Sequence, residues 1–169
     1  MSQNLIAIAI NKLMPLINQC IEYGIGITPG GKLLKTVSSG HNDRIIIERE
    51  YLNALTNGGI FVHYHPKGYS LSFKDFETAH YYNLAGIIAF VTNGYNGKGI
   101  YVINNPRSVD YSRIKNLFIR LHFHEVNILN IKCQKNAKLN YSKEYKKIDR
   151  KVWLKISKIT KLNYYWIRF

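Results

Sequence analysis

Two histidines, one residue apart, open the part of the chain whose residue types and spacing are best suited to chemistry. The stretch HYHPKGYSLSFKD covers residues 63–75, with His63 and His65 at its start and Asp75 at its end. Side chains two residues apart in a β-strand point to the same face, so the two imidazoles project together. Two histidines, one aspartate and a water form a tetrahedral zinc site with an open position, which is typical of catalytic zinc. The stretch therefore predicts a zinc site.

A structural interpretation of the same residues stays open beside this one. Pro66 ends the predicted strand, and Ser72 followed three residues later by Asp75 fits a capping box with aspartate in place of glutamate. On this interpretation the stretch is a strand, a turn and a capped helix. The two interpretations are compatible, because one helix start can hold both a cap and a metal ligand.

The pattern HxHPxGxSxSxxD resembles the motif of the JAMM/MPN (JAB) metalloproteases, in the short form found in prokaryotic toxin-associated and phage-associated JAB domains. That family also has a glutamate upstream, where the first helix gives way to the first strand. Glu22, in CIEYGIGIT, stands at that place, 41 positions before His63. The resemblance covers roughly residues 5–104.

The resemblance implies a role for each residue of the motif. His63, His65 and Asp75 would bind Zn²⁺, Glu22 would act as the general base, and Ser72 would donate a hydrogen bond to the oxyanion. The implied reaction is hydrolysis of a peptide or isopeptide bond in a protein or peptide substrate, with a ubiquitin-like conjugate among the candidates. Cofactor binding beyond zinc is not implied.

Two features depart from the family pattern. Tyr64 stands between the histidines, where a small or amide side chain is usual, and would partly shield the site or line the substrate cleft. Six residues separate His65 from Ser72, where better-known members have seven, so Ser72 would be shifted relative to the metal.

Other candidate residues have simpler interpretations. Glu48 and Glu50 rival Glu22, but they lie at the start of a predicted helix, where acids are favoured by the helix dipole. His122 and His124 form a second HxH pair, which lacks a downstream carboxylate at matching spacing. We expect these two histidines to be solvated or packing residues.

The predicted elements place the motif in a mixed α/β (α+β) fold with helices flanking the sheet, and the resemblance implies a cytidine-deaminase-like JAB/MPN core. A helix capped by Ser2 is predicted at 4–19, with a kink or an early end at Pro15. The remaining predicted elements are strands at 22–28, 32–38, 44–48 and 60–65, helices at 48–57 and from Ser72, and a hairpin of strands at 86–94 and 99–105.

Charge divides the chain into two parts. Of the net charge of +14, residues 1–106 carry +2 and residues 107–169 carry +12. We therefore predict a metallopeptidase-like core at 1–106 and a basic, mostly helical extension at 107–169. This extension either packs through an amphipathic helix face or docks on nucleic acid, an acidic partner protein or an anionic membrane surface.

Composition limits the class of protein. Apolar residues make up 46% of the chain, which is enough for a core. We predict no transmembrane segment and no signal peptide, hence a cytoplasmic protein with Cys20 and Cys133 reduced. Three functions remain: a zinc peptidase with a basic docking segment, a non-catalytic module of the same fold whose tail binds a partner, and an effector-type or toxin-type peptidase.

Overall fold

A mixed six-stranded sheet forms the centre of the computed structural model, which describes residues 3–17, 20–94 and 97–168. The strand order across the sheet is β2-β1-β3-β4-β5-β6. The strands are β1 (Gly24–Ile27), β2 (Leu33–Val37), β3 (Ile60–Tyr64), β4 (Gly86–Gly94), β5 (Gly97–Asn104) and β6 (Asn163–Arg168).

Six α-helices among the described residues accompany the sheet. They are α1 (Gln3–Leu13), α2 (Arg49–Asn53), α3 (Phe73–Tyr81), α4 (Tyr111–Lys135), α5 (Tyr141–Tyr145) and α6 (Ile148–Ile159). Two short 3₁₀ turns, Met14–Leu16 and Pro106–Ser108, follow α1 and precede α4. Pro15 lies within the first of these turns, so the predicted break in the first helix is confirmed.

Strand β3 lies inside the sheet; it contains His63 and is followed directly by His65. It runs antiparallel to β1 and parallel to β4, and α3 makes the crossover between the two parallel strands. A buried strand alternates its side chains between two faces. Val62 and Tyr64 join the cluster that contains Ala9 and Leu13 of α1, whereas Phe61 joins the cluster on the other face, which holds α3, α4 and α6. His63 projects from the same face as Phe61.

The predicted order of elements up to residue 105 is confirmed, with one strand wrong. Residues 44–48 were predicted as a short strand, but they belong to no strand of the structure. Ile45 and Ile47 are half-buried and Ile46 is exposed, so the segment has the alternation of a strand without a neighbouring strand to pair with. The predicted cap at Ser2 lies outside the described residues.

The C-terminal extension contains α4, α5 and α6, but it ends in a strand that the sequence does not predict. Residues 163–168 form β6, which pairs antiparallel with β5 from Asn104↔Asn163 to Gly99↔Arg168. One hydrophobic cluster joins the two parts of the chain, because Trp153 and Tyr164 pack in it with Phe76 and Tyr101. The division of the chain after residue 106 stays a prediction.

The fold class is therefore a mixed α/β arrangement, with a six-stranded mixed sheet flanked by helices. Among the residues that the structure describes, no helix is both long enough and apolar enough to cross a bilayer. Both cysteines, Cys20 and Cys133, are free thiols.

Replacing Gly24 with alanine should destabilise the sheet beneath the histidines. An added Cβ would lie 2.2 Å from Cζ of Phe61, whose ring stacks on His63. We expect a loss of about 1–3 kcal/mol in the free energy of unfolding, measured by urea denaturation, because overpacking displaces the ring. Gly30→Ala is the matched control, since its nearest neighbour would be 4.0 Å away. Equal stability of the two variants would contradict this account of the packing.

Candidate metal centre

The end of β3 brings the two histidines side by side beneath the surface. His63 and His65 are 2% and 7% exposed, and their Nε2 atoms lie 2.8 Å apart. The backbone of His65 continues the parallel pairing, because its N–H donates to the carbonyl of Phe90 on β4. The strand therefore fixes both rings on one face, as the HxH spacing predicts.

The start of α3 brings the carboxylate to the same place. Ser72 is the N-cap of the helix, and its hydroxyl oxygen accepts a hydrogen bond from the N–H of Asp75. Asp75 Oδ2 in turn accepts from the Ser72 N–H at 2.7 Å, which completes the predicted capping box. The other carboxylate oxygen, Oδ1, lies 3.3 Å from His63 Nε2. Asp75 thus takes part in the capping box through Oδ2 and faces His63 through Oδ1.

His63, His65 and Asp75 form a group that fits a metal ion. Their potential ligand atoms all lie within 4.8 Å of one another. Tetrahedral zinc with nitrogen and oxygen ligands separates those atoms by about 3.3 Å. The 3.3 Å contact between His63 and Asp75 already matches that spacing, whereas the 2.8 Å contact between the two imidazoles would have to open by about 0.5 Å. Two imidazole nitrogens and a carboxylate are donors that a divalent transition-metal ion accepts.

Hydrogen bonding prepares His65 to act as a ligand. Its Nδ1 lies 3.0 Å from the carbonyl oxygen of Tyr69. A carbonyl can only accept, so Nδ1 carries a proton and Nε2 is the ring nitrogen that faces His63 and Asp75. His63 is held differently: Phe61 stacks on it at 5.5 Å with an interplanar angle of 18°. Its Nδ1 is buried without a hydrogen-bond partner among the described residues.

The histidines control the charge on Asp75. Burial alone would raise the pKa of this carboxyl group, but the neighbouring His63 and His65, together with the hydrogen bond from the Ser72 backbone, hold the pKa well below its ordinary value. Asp75 is therefore an anion at neutral pH. An ionised carboxylate is the form that binds a divalent cation.

Glu22 lies at the edge of this group, in the short segment before β1. Its backbone is fixed on both sides, because its N–H donates to His41 and its carbonyl accepts from the Ser38 hydroxyl. The side chain is buried, with Oε1 3.9 Å from His65 Nε2. Burial raises the pKa of Glu22 to about 7, with nearby His65 lowering it and Asp75 raising it. A carboxyl group with such a pKa is able to exchange a proton near neutral pH.

Two residues behave differently from what the family motif led us to expect. The Ser72 hydroxyl donates to Asp75 Oδ2 at 2.8 Å, so its proton is directed at the aspartate in this structure. The expectation that Tyr64 shields the site or lines the cleft is wrong. Its ring is buried on the opposite face of the sheet, where its hydroxyl donates to the carbonyl of Ile17 at 3.1 Å.

A cleft of about 380 Å³ opens above the group. The loops and helices around it contribute lining residues of mixed character. They include Glu22, Arg44, Ile45, Lys67, Tyr69, Ser72, Tyr145 and Asp149, together with His63, His65 and Asp75. The cleft therefore joins the candidate base to the three potential ligands, and its volume falls in the ordinary range of ligand pockets.

The remaining sequence candidates lie elsewhere. Glu48 is the N-cap residue of α2 and Glu50 lies in its first turn, as expected for acids that start a helix. His122 pairs through Nε2 with Asp149 Oδ1 at 3.3 Å, and His124 is exposed on α4. Among the described residues, neither histidine belongs to a group that could hold a metal ion.

Sequence reasoning missed the part of the cleft that comes from the C-terminal extension. Tyr145 of α5 and Asp149 of α6 line it beside the histidines. No local pattern marks these two residues, because a tyrosine and an aspartate in a basic, helical segment are ordinary. Their contribution depends on where α5 and α6 pack, which spacing alone does not indicate.

The chain matches no protein-family model, no curated protein and no solved structure.

The candidate site predicts how much metal the purified protein contains. We expect about one zinc per chain by elemental analysis, lost in His63→Ala/His65→Ala because two of the three ligands are gone. His122→Ala/His124→Ala, which removes the second HxH pair, is the matched control and should keep the zinc. A well-folded wild type that takes up no zinc when zinc is supplied would reduce residues 63–75 to a strand, a turn and a capped helix.

Proposed function

We propose that the chain is a zinc-dependent hydrolase that cleaves a peptide or isopeptide bond, as the resemblance to JAMM/MPN metalloproteases implies. The observation that supports this best is the position of Glu22. It lies 41 residues upstream of His63 in the sequence, yet its carboxyl group is 3.9 Å from His65 and borders the same cleft. A structural capping motif requires no such glutamate, whereas hydrolysis requires a base.

His63, His65 and Asp75 would hold the ion through their facing nitrogen and oxygen atoms. Zinc in such a site makes hydroxide available near neutral pH. The protein contributes the geometry: the sheet fixes the histidines, the helix cap fixes Asp75, and the Tyr69 carbonyl keeps the His65 proton on Nδ1.

Glu22 is the proposed general base. Its buried carboxyl group would accept a proton from the attacking water at Oε1 and transfer it to the leaving amine. Ser72 is the proposed donor to the carbonyl oxygen of the scissile bond, which requires its hydroxyl to turn from Asp75 Oδ2 towards the substrate. Between turnovers the same hydroxyl helps to orient Asp75.

The proposed substrate is a protein or peptide, with ubiquitin-like conjugates among the candidates. The proposed setting is the cytoplasm. An effector-type or toxin-type peptidase would use the same chemistry on a different target protein.

Glu22→Gln should abolish hydrolysis without removing the metal. The amide cannot take up a proton, so we expect kcat/KM to fall by roughly 100- to 10,000-fold in a screen with peptide and isopeptide substrates. The acidic limb of the pH–rate profile, along which Glu22 loses its proton, should disappear.

Glu48→Gln is the control for this experiment, because Glu48 is a helix-start acid outside the cleft. Its rate and its zinc content should equal those of the wild type. A Glu22→Gln protein that keeps zinc and hydrolyses substrate at the wild-type rate would remove Glu22 from the mechanism.

The outer face of α4 favours a second function, which is binding of nucleic acid. This helix has a single acidic residue, Glu125, which is turned inward and paired with Lys155 at 2.5 Å and Lys151 at 3.7 Å. Its exposed residues are therefore basic, amide-bearing, apolar or small. They are Ser112, Arg113, Lys115, Asn116, Ile119, Arg120, Phe123, His124, Asn127, Asn130, Ile131, Lys132, Gln134 and Lys135.

Such a surface suits a phosphate backbone. Its cations have no exposed acid on the same helix to neutralise them, and Phe123 is 67% exposed, which leaves its ring free to stack on an unpaired base. The 25 residues of α4 span roughly 37 Å, enough to contact several consecutive phosphates.

Salt dependence tests this second function. Arg113→Ala/Arg120→Ala should weaken binding to a single-stranded oligonucleotide and reduce the slope of log K against log salt by roughly 1.4, at about 0.7 per lost phosphate contact. Lys12→Ala/Lys35→Ala, which removes two exposed lysines outside the extension, should leave the slope unchanged. If poly-glutamate bound as tightly as the oligonucleotide, the surface would instead be a binding site for an acidic protein.

A further inference from the structure

The loop that joins β3 to α3 is contacted at three consecutive residues by the C-terminal extension. The hydroxyl groups of Ser70 and Tyr164 are 2.8 Å apart, and both side chains are buried. The indole N–H of Trp153 donates to the carbonyl of Leu71 at 2.7 Å. Just before them, the Lys146 ammonium lies 5.6 Å from the centre of the Tyr69 ring.

This loop sets the geometry of the candidate site at two places. Within the loop, the Tyr69 carbonyl accepts the hydrogen bond that fixes a proton of His65 on Nδ1. At the end of the loop, Leu71 precedes Ser72, which caps α3 and binds Asp75. A displacement of the loop would therefore alter the orientation of His65 and Asp75 together.

The contacts are of a kind that fixes the loop strongly. Trp153 is fully buried, Ser70 is 1% exposed and Tyr164 is 5% exposed. A buried polar group that loses its hydrogen-bond partner has no water to replace that partner, which raises the free energy of the folded state. These hydrogen bonds therefore strongly favour one position of the loop. The partners are distant in sequence, 82 residues apart for Trp153 and Leu71 and 94 for Tyr164 and Ser70.

We propose that Trp153 and Tyr164 are positioning residues of the zinc site, holding the 66–71 loop so that His65 and Asp75 face the same point. The inference rests on the proposed function and extends it, because it makes the basic extension a structural part of the site. Tyr145 and Asp149, which line the cleft from the same segment, are consistent with that role.

Neighbouring tyrosines on β6 provide a matched pair of variants. Tyr164→Phe removes the hydroxyl that contacts Ser70. Tyr165→Phe removes a hydroxyl from the other face of the strand, where it accepts from Asn104 Nδ2 at 3.0 Å. Each variant loses one hydrogen-bonding hydroxyl and keeps its ring. Because the Tyr164 hydrogen bond is buried and the Tyr165 bond is part-buried, the free energy of unfolding is measured for both variants as well.

The test is the zinc dissociation constant of the full chain, measured by competition with a chelator. We expect Tyr164→Phe to bind zinc about 10-fold more weakly, as is typical when support of a ligand is lost, and Tyr165→Phe to stay within about twofold of the wild type. Hydrogen exchange of the amides at 67–71, measured with zinc removed, should be faster in Tyr164→Phe alone.

A double-mutant cycle separates positioning from general destabilisation. In a Ser70→Ala background the Tyr164 hydroxyl has lost its partner on the loop, so adding Tyr164→Phe should weaken zinc binding no further. Additive losses in the cycle, or equal zinc affinity in Tyr164→Phe and Tyr165→Phe, would overturn the positioning role and leave the proposed function standing. A wild type that binds no zinc would overturn the proposed function, and the positioning role with it.

Discussion

The placement of one half-buried carboxylate, that of Asp75, constrains the whole candidate site. Removing an anion from water is costly unless it is paired and hydrogen-bonded, and Asp75 is both. Its Oδ2 accepts from the backbone and the hydroxyl of Ser72, while Oδ1 faces His63. Asp75, which takes part in the capping box of α3, therefore also holds the start of that helix against the end of β3. The distance between helix and strand, and with it the shape of the cleft, depends on these contacts.

The architecture of the sheet explains why these contacts can be made. β3 lies between an antiparallel and a parallel neighbour, so its backbone is fixed on both sides up to the histidines. β1 has glycine at Gly24, where it pairs with His63, and this leaves space for the Phe61 ring that supports the imidazole. Glu22 precedes that glycine by two residues. The start of β1 thus brings a carboxyl group to the end of β3, although the two are far apart in sequence.

Sequence spacing was sufficient for the residues whose positions follow from local rules. The HxH pair shares a face because strands alternate, and Ser72 and Asp75 meet because capping residues are three apart. Glu22 was found through the order of elements, and the structure brings it to the cleft. The predicted strand at 44–48 failed because alternation reports which side chains face inward, whereas a strand also needs a partner with which to exchange backbone hydrogen bonds.

The contribution of the C-terminal extension to the cleft was not predicted, because average composition and charge do not show which side chains of a segment are buried. A helix can have one apolar, buried face and one charged, exposed face. In α6, Ile148, Val152, Trp153 and Ile156 are buried, whereas the lysines of that helix lie on its outer side or pair with Glu125 of α4. NYYWIR adds a run rich in aromatic residues, which favours a strand and becomes β6. A net charge of +12 therefore describes the outer surface of this segment, while its apolar residues bind it to the sheet and to the loop beside His65.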